Sequence, residues 1–344
     1  MSAILLTALI PLSILFLAIY KDKTSVRKPN ILDKDLTNAL KGFAAIIVIM
    51  VHIPEPEVNP LQDAIGSFAY VAVTFFFFVS AYGTRLSLTK NPDYLKRFWP
   101  GRLLALLIPM LLCNVVYFAT YHLPTSVHPA AISLLYAVNP YVTVLLCYYL
   151  FFYLAGRLAG KLYPAKYLDP VLWCGIIISS SLCYVSELDF TWCYEQWGLI
   201  WGLLAFKYKQ QFINFISDKG WVKICSLLVI SGILGVMYLK FKHIAFWGEY
   251  LLKIGLGFSL LLTMFAVLQG WFCENRISRR LGKISYEVYL LHGAMFAAAL
   301  YLRPANSGVF ILYTVALTPD WCRHNESNFH PFDKNGKTAY RIIP

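Results

Sequence analysis

Apolar runs long enough to cross a bilayer, about 17–25 residues as a helix, recur along almost the whole chain and leave it few ways to fold. They read at 3–20, 41–58, 67–84, 103–121, 138–156, 169–186, 192–206, 222–240, 248–272 and 285–302, with a shorter run at 306–318. Hydrocarbon offers no partner to backbone N–H and C=O groups, so each run must close its hydrogen bonds within itself as a helix. The composition agrees, with 58% hydrophobic residues, 14% charged residues and a mean hydropathy of +0.59; soluble domains carry about 25% charged residues. The expected fold is therefore all-α, a polytopic transmembrane helix bundle. No soluble domain interrupts the runs, so any chemistry belongs in or beside the bundle.

Cations concentrate in the cytoplasmic loops of membrane proteins, and here they alternate along the chain. The loops around 21–34, 85–102, 157–166, 207–223 and 276–283, together with the tail after 319, hold 25 of the 30 Lys and Arg residues. The opposite loops hold Glu55, Glu57, Asp63, Glu187 and Asp189, with Lys240, Lys242 and Arg303 as exceptions. The amino terminus is expected outside and the carboxyl terminus inside, in a multi-pass protein of the cytoplasmic (inner) membrane. The formal charge of +12 is then a topology signal spread over many loops, and a nucleic-acid partner is not expected. Membrane lipids with anionic head groups, and any phosphorylated substrate arriving from inside, fit it better. The first run follows no positive n-region and precedes no small-residue cleavage site, so residues 1–37 read as an anchor helix and a cytoplasmic loop. The eight cysteines stand singly, with no Cys-x-x-Cys pair, and point to neither disulfides nor a metal site.

Within this apolar frame Lys41 is followed by ten small or apolar residues and then by His52. Eleven residues are about three helical turns, so the two side chains share a face to within about 20° and stand roughly 16 Å apart. That places Lys41 at a membrane surface and His52 deep in the span, where ionisable groups are costly and face a cavity or a partner. A second constellation lies in Leu281-Gly282-Lys283-Ile284-Ser285-Tyr286-Glu287-Val288-Tyr289-Leu290-Leu291-His292. There Ser285, Tyr289 and His292 fall at i, i+4 and i+7, setting a hydroxyl, a phenol and an imidazole on one helix face. A single buried histidine more often serves packing. Two of them, each on a span that leaves the cytoplasm beside polar groups, point to a site.

At these residues the chain resembles the acyltransferase 3 family of membrane proteins, whose members O-acylate glycans and other acceptors. Lys41 and His52 are similar to the family's cation and histidine separated by ten residues. Phe75-Phe76-Phe77-Phe78-Val79-Ser80-Ala81-Tyr82 is similar to its aromatic run ending in Ser-Gly-Tyr or Ser-Gly-Phe, and Lys96 to Arg102 to its basic segment. Leu281 to His292 is similar to Leu-Gly-x-x-Ser-Tyr-x-x-Tyr-Leu-x-His. Lys41 stands where the family most often has Arg, Ala81 where Gly is usual, and Arg97 and Arg102 are spaced more widely than Arg-x-x-Arg. The resemblance implies ten core spans, the second to the eleventh run, plus one extra N-terminal span. It also implies an acyltransferase 3-like transmembrane domain at 38–318 and a polar C-terminal tail at 319–344. The run at 306–318 is short for a span, and Asn325-Glu326-Ser327 matches a glycosylation pattern that a cytoplasmic tail cannot use.

The activity so implied is a membrane O-acyltransferase that moves an acetyl or other short acyl group from acyl-CoA (acetyl-CoA) to a hydroxyl of a cell-surface or exported polysaccharide. Glycan or polysaccharide acceptors and polysaccharide assembly proteins are the implied partners, and no metal is. Imidazole titrates near neutrality and suits a base that activates a sugar hydroxyl, the role expected of His52. Lys41, Arg97 and Arg102 are expected to hold the phosphates of coenzyme A. Ser80, Tyr82, Ser285, Tyr289 and His292 are expected to line the cavity and orient the thioester or stabilise its oxyanion. Glu195 and Glu287 are candidates to orient His52. A secondary transporter or flippase exporting an acylated or lipid-linked glycan precursor, with the histidines as a proton relay, is the alternative from another class. An inactive subunit of a glycan-export complex is a third. A reporter fused after Lys28 or Lys96 is expected to report the cytoplasm, and one fused within 56–62 the outside; an exported reporter at Lys28 would invert the topology.

Overall fold

The computed structural model describes residues 3–23, 25, 31–53, 58–91, 93–121, 140–186, 193–218, 220–269, 271–272, 274–302 and 306–324. Among these residues the chain is helical and has no strand. In order come α1 (Ala3–Ile19), α2 (Lys34–Val51), α3 (Pro60–Phe68), α4 (Tyr70–Lys90), α5 (Phe98–Tyr121), α6 (Pro140–Leu158) and α7 (Leu168–Val185). They are followed by α8 (Trp197–Lys207), α9 (Lys209–Ser217), α10 (Trp221–Phe241), α11 (Lys253–Leu268), α12 (Arg276–Lys283), α13 (Ser285–Tyr301) and α14 (Ser307–His324). Six stretches are long and apolar enough to cross a membrane by length and composition: Pro60–Lys90, Tyr94–Val115, Tyr141–Leu158, Ala165–Val185, Trp221–Phe241 and Trp247–Leu268. Ala3–Ile19 and Trp197–Lys207 are apolar but shorter. The chain is an all-α, multi-pass membrane protein.

Two helices depart from the apolar runs that announce them. α2 begins at Lys34 and ends at Val51, seven residues earlier at each end than the run at 41–58. The Asp33 carboxylate caps its start by accepting from Asp35 N at 3.0 Å, and Pro54 disfavours helical backbone in the residue before it. The helix therefore starts in polar sequence and stops before the run does. α14 continues through Pro319 to His324, six residues into the stretch expected to be a polar tail. Burial holds it helical: Thr314, Thr318 and Cys322 are buried, and α14 packs on α13 and α1. Tertiary contact overrides the proline's local cost. The Asn325-Glu326-Ser327 pattern lies outside the described residues.

The core is organised around α4, which packs on α2, α3, α8 and α11 and buries Phe75, Phe77 and Phe78 completely. Its partner α8 carries Gly198 and Gly202 four residues apart, on one face. A Cβ at Gly198 would stand 2.2 Å from Thr74 O and one at Gly202 2.3 Å from Phe78 O, so only glycine lets these backbones close, as small residues do in membrane bundles. α2 and α12 meet in the same way. A Cβ on Gly42 would fall 2.7 Å from Gly282 N, and one on Gly282 2.3 Å from Asn38 O. α13 takes over after Ile284 and runs beside α2. On the flank, α1 packs on α14, α3 and α12.

Gly282→Ala should therefore cost roughly 1–3 kcal/mol by overpacking, read as a lower midpoint of heat or denaturant unfolding in detergent. Gly255→Ala, whose new Cβ would meet nothing within 4 Å, should leave the midpoint unchanged or slightly raised. Equal shifts in the two variants would remove the close-approach argument.

Candidate active site

α2, α4, α5, α6, α12 and α13 enclose a cavity of about 510 Å³. Four cations line it: Lys34 and Lys41 from α2, Arg102 from the first turns of α5, and Lys283 from the end of α12. None of the four forms an ion pair with a carboxylate among the described residues. Four cations gathered without an ion-paired carboxylate, although Glu287 lies in the same wall, are suited to a polyanion. Arg102 is held in place by three side chains. Its Nη2 donates to Tyr94 Oη at 2.7 Å, and its guanidinium carbon lies 4.9 Å from the Tyr149 ring centroid and 5.6 Å from that of Phe98, within cation–π reach.

Polar groups follow deeper along the same helices. The Ser80 hydroxyl meets the phenols of Tyr141 and Tyr149, and Tyr82 stacks parallel to Phe78 with centroids 6.4 Å apart. Ser285, also in the lining, donates its Oγ–H to Gly282 O at 3.0 Å, which leaves the oxygen's lone pairs to accept. Three rings of the lining pack on one another. Tyr141 and Tyr289 are 5.2 Å apart between centroids, Phe76 and Tyr141 6.1 Å, and Phe76 and Tyr289 6.2 Å.

Behind Tyr289, outside the cavity lining, the two histidines meet. His292 lies 5.9 Å from Tyr289 and 4.7 Å from His52 between ring centroids. His292 is buried; His52 is the C-cap of α2 and exposed. The two residues of the Lys41 and His52 pair thus differ in exposure. Because α2 starts early and stops before Pro54, Lys41 lies two turns inside the helix, half-buried, and the imidazole sits at its end. Each ring rests its Nδ1 on a backbone carbonyl, His52 on Val48 O at 3.0 Å and His292 on Tyr289 O. A carbonyl only accepts, which assigns the proton to Nδ1 in both rings and leaves Nε2 as the basic nitrogen.

Among the described residues no carboxylate bonds either imidazole. Glu195 is buried near Tyr70, Tyr194 and Lys253, and Lys253 Nζ donates to Tyr194 Oη. Glu287 is buried in the cavity wall. Of the residues expected at the site, Lys41, Ser80, Tyr82, Arg102, Ser285 and Tyr289 line the cavity, and His52 and His292 form the pair behind it. Arg97 is exposed and joins neither. Lys34, Lys283, Phe76, Tyr141 and Tyr149 line the cavity without having been singled out. Lys34 is two turns before Lys41 on the same helix face and Lys283 lies inside the Leu281–His292 stretch, so both carried a usable signal. Tyr141 and Tyr149 carried none among so many aromatic residues.

A profile of the acyltransferase 3 family, described as an acyltransferase domain, matches residues 37–319. No curated protein matches the chain, and no solved structure does. The histidine tautomers are open to direct measurement: ¹⁵N spectra of imidazole-labelled protein near neutral pH should show both His52 and His292 with the proton on Nδ1. A spectrum with the proton on Nε2 of His52 would withdraw that nitrogen as a base.

Proposed function

The chain belongs to the acyltransferase 3 family, and we propose that it transfers an acetyl or other short acyl group from acyl-CoA to a hydroxyl of a cell-surface or exported polysaccharide. One arrangement carries this reading: a cavity lined by four cations with no ion-paired carboxylate among the described residues and, behind Tyr289 of its wall, an imidazole pair with free Nε2 atoms. Lys34, Lys41, Arg102 and Lys283 bind the phosphates of coenzyme A and direct the thioester inward. His52 Nε2 takes the proton from the acceptor hydroxyl as its oxygen bonds to the acyl carbon. The C–S bond breaks and the leaving thiolate takes up a proton, so the step is neutral overall. Tyr289 and Ser80 orient the thioester. His292, 4.7 Å from His52, positions that ring.

Ten core spans with α1 as an addition, the amino terminus outside and the carboxyl terminus in the cytoplasm, put the cations on the side where acyl-CoA is made. The exposed His52 then faces the acceptor. A proton relay, as a transporter would need, requires each imidazole to receive on one nitrogen and pass on from the other. With both Nδ1–H groups bonded to backbone carbonyls, that passage is blocked, which favours a base over a relay.

Purified protein given radiolabelled acetyl-CoA and candidate polysaccharides tests the reading. His52→Ala should lower turnover about 10²- to 10⁴-fold while leaving the unfolding midpoint near that of the parent, because the side chain is exposed. Lys41→Ala should raise the apparent KM for acyl-CoA more than it lowers kcat, as loss of a phosphate contact remote from the thioester does, and Lys41→Arg should be tolerated. Full turnover in His52→Ala would assign the base elsewhere.

A further inference from the structure

We propose that Phe76, Tyr141 and Tyr289 act as a ruler that restricts the transferred acyl group to a short chain, an inference that rests on the acyl-CoA reading above. The four cations and the three rings all line the cavity, and the rings are its wall toward the histidine pair, Tyr289 lying 5.9 Å from His292. A coenzyme A thioester held by its phosphates at the cations presents its acyl group to the rings, because the acyl group is the far end of the molecule. The space left in front of the rings then sets how many methylenes fit.

That wall is rigid. All three rings are buried, with Tyr289 only 2% exposed, and their centroid separations of 5.2–6.2 Å are those of aromatic contact. Phe76 cannot retreat by moving its helix, since α4 is locked to α8 through Gly198 and Gly202, where the backbones already touch. A longer acyl chain must push this close-packed wall aside, and overpacking of that kind is resisted. Phe76 has no polar atom, so changing it alters length without touching proton transfer. Its neighbour Phe75 provides a matched control. Phe75 is fully buried on the same helix, packs on Phe265 with centroids 6.0 Å apart, and lies outside the cavity lining.

The test is a donor series of free coenzyme A and its acetyl, butyryl and hexanoyl thioesters, with binding measured by calorimetry on full-length purified protein and transfer measured alongside. In the parent, affinity and turnover should fall with chain length. Phe76→Ala should raise the butyryl-to-acetyl ratio about tenfold or more, since a methylene accommodated or refused by an apolar pocket is worth about 10- to 200-fold. Phe75→Ala should leave the ratio unchanged. Phe76→Leu, which keeps most of the volume, should shift it in the same direction and decides the matter if Phe76→Ala does not fold. A flat series in the parent, an unchanged ratio in the Phe76 variants, or an equal shift in Phe75→Ala would overturn the ruler while coenzyme A binding preserved the acyl-CoA reading. Failure of coenzyme A itself to bind would overturn both.

Discussion

The backbone contact of α2 with α12 at Gly42 and Gly282 sets the register of the candidate site. His52 and His292 each follow their glycine by ten residues, about 15 Å along a helix. Since α13 continues from α12 and runs beside α2, two helices pinned at the glycines bring their imidazoles together ten residues later, at 4.7 Å between centroids. Lys41 and Lys283 flank the same glycines, so this contact also sets two of the cations that line the cavity. A side chain at either glycine would part the helices and disturb the cation wall and the histidine pair at once.

The protein treats its cations in three ways, and the differences separate structural charge from working charge. Arg85 reaches Asp169 through Nε at 2.6 Å and ties α4 to α7. Lys253 lies 3.7 Å from the Tyr194 ring centroid, with Tyr70 and Tyr238 at 5.4 and 5.7 Å, so aromatic faces take the place of water. Lys34, Lys41, Arg102 and Lys283 have no carboxylate partner among the described residues. Unpaired charge in an apolar protein is costly, and four cations without an ion-paired carboxylate beside one cavity, Arg102 among them resting on aromatic faces, fit the anionic donor proposed above.

α1 stands outside the matched 37–319 yet is joined to the site by one side chain. Asn275 accepts from Ile277 N and Ser278 N through Oδ1, capping α12. Its Nδ2 donates to Leu17 O at 2.7 Å and Tyr20 O at 3.2 Å, satisfying carbonyls at the end of α1. Both ends of one amide are used, as a buried polar group requires. At the opposite end of α1, Asn59 Nδ2 donates to Thr7 Oγ1 at 2.9 Å. α1 thus braces α12, on which the glycine contact depends.

The sequence by itself determined that the chain is a bundle of membrane helices, because runs of 17 to 25 apolar residues have one way to satisfy their backbone in hydrocarbon. It also marked Lys41, His52 and the Leu281–His292 stretch, because polar groups are conspicuous in such runs and helical spacing tells which share a face. It did not reveal that Lys41 is half-buried while His52 is exposed, since the ends of α2 are set by an aspartate cap and a proline rather than by hydropathy. Nor could it separate Arg102, inside the cavity, from Arg97, exposed five residues earlier, or single out Tyr141 from the other tyrosines. Those distinctions belong to tertiary structure, because which neighbour a side chain meets depends on helices distant in sequence, and here on how closely glycines let their backbones approach.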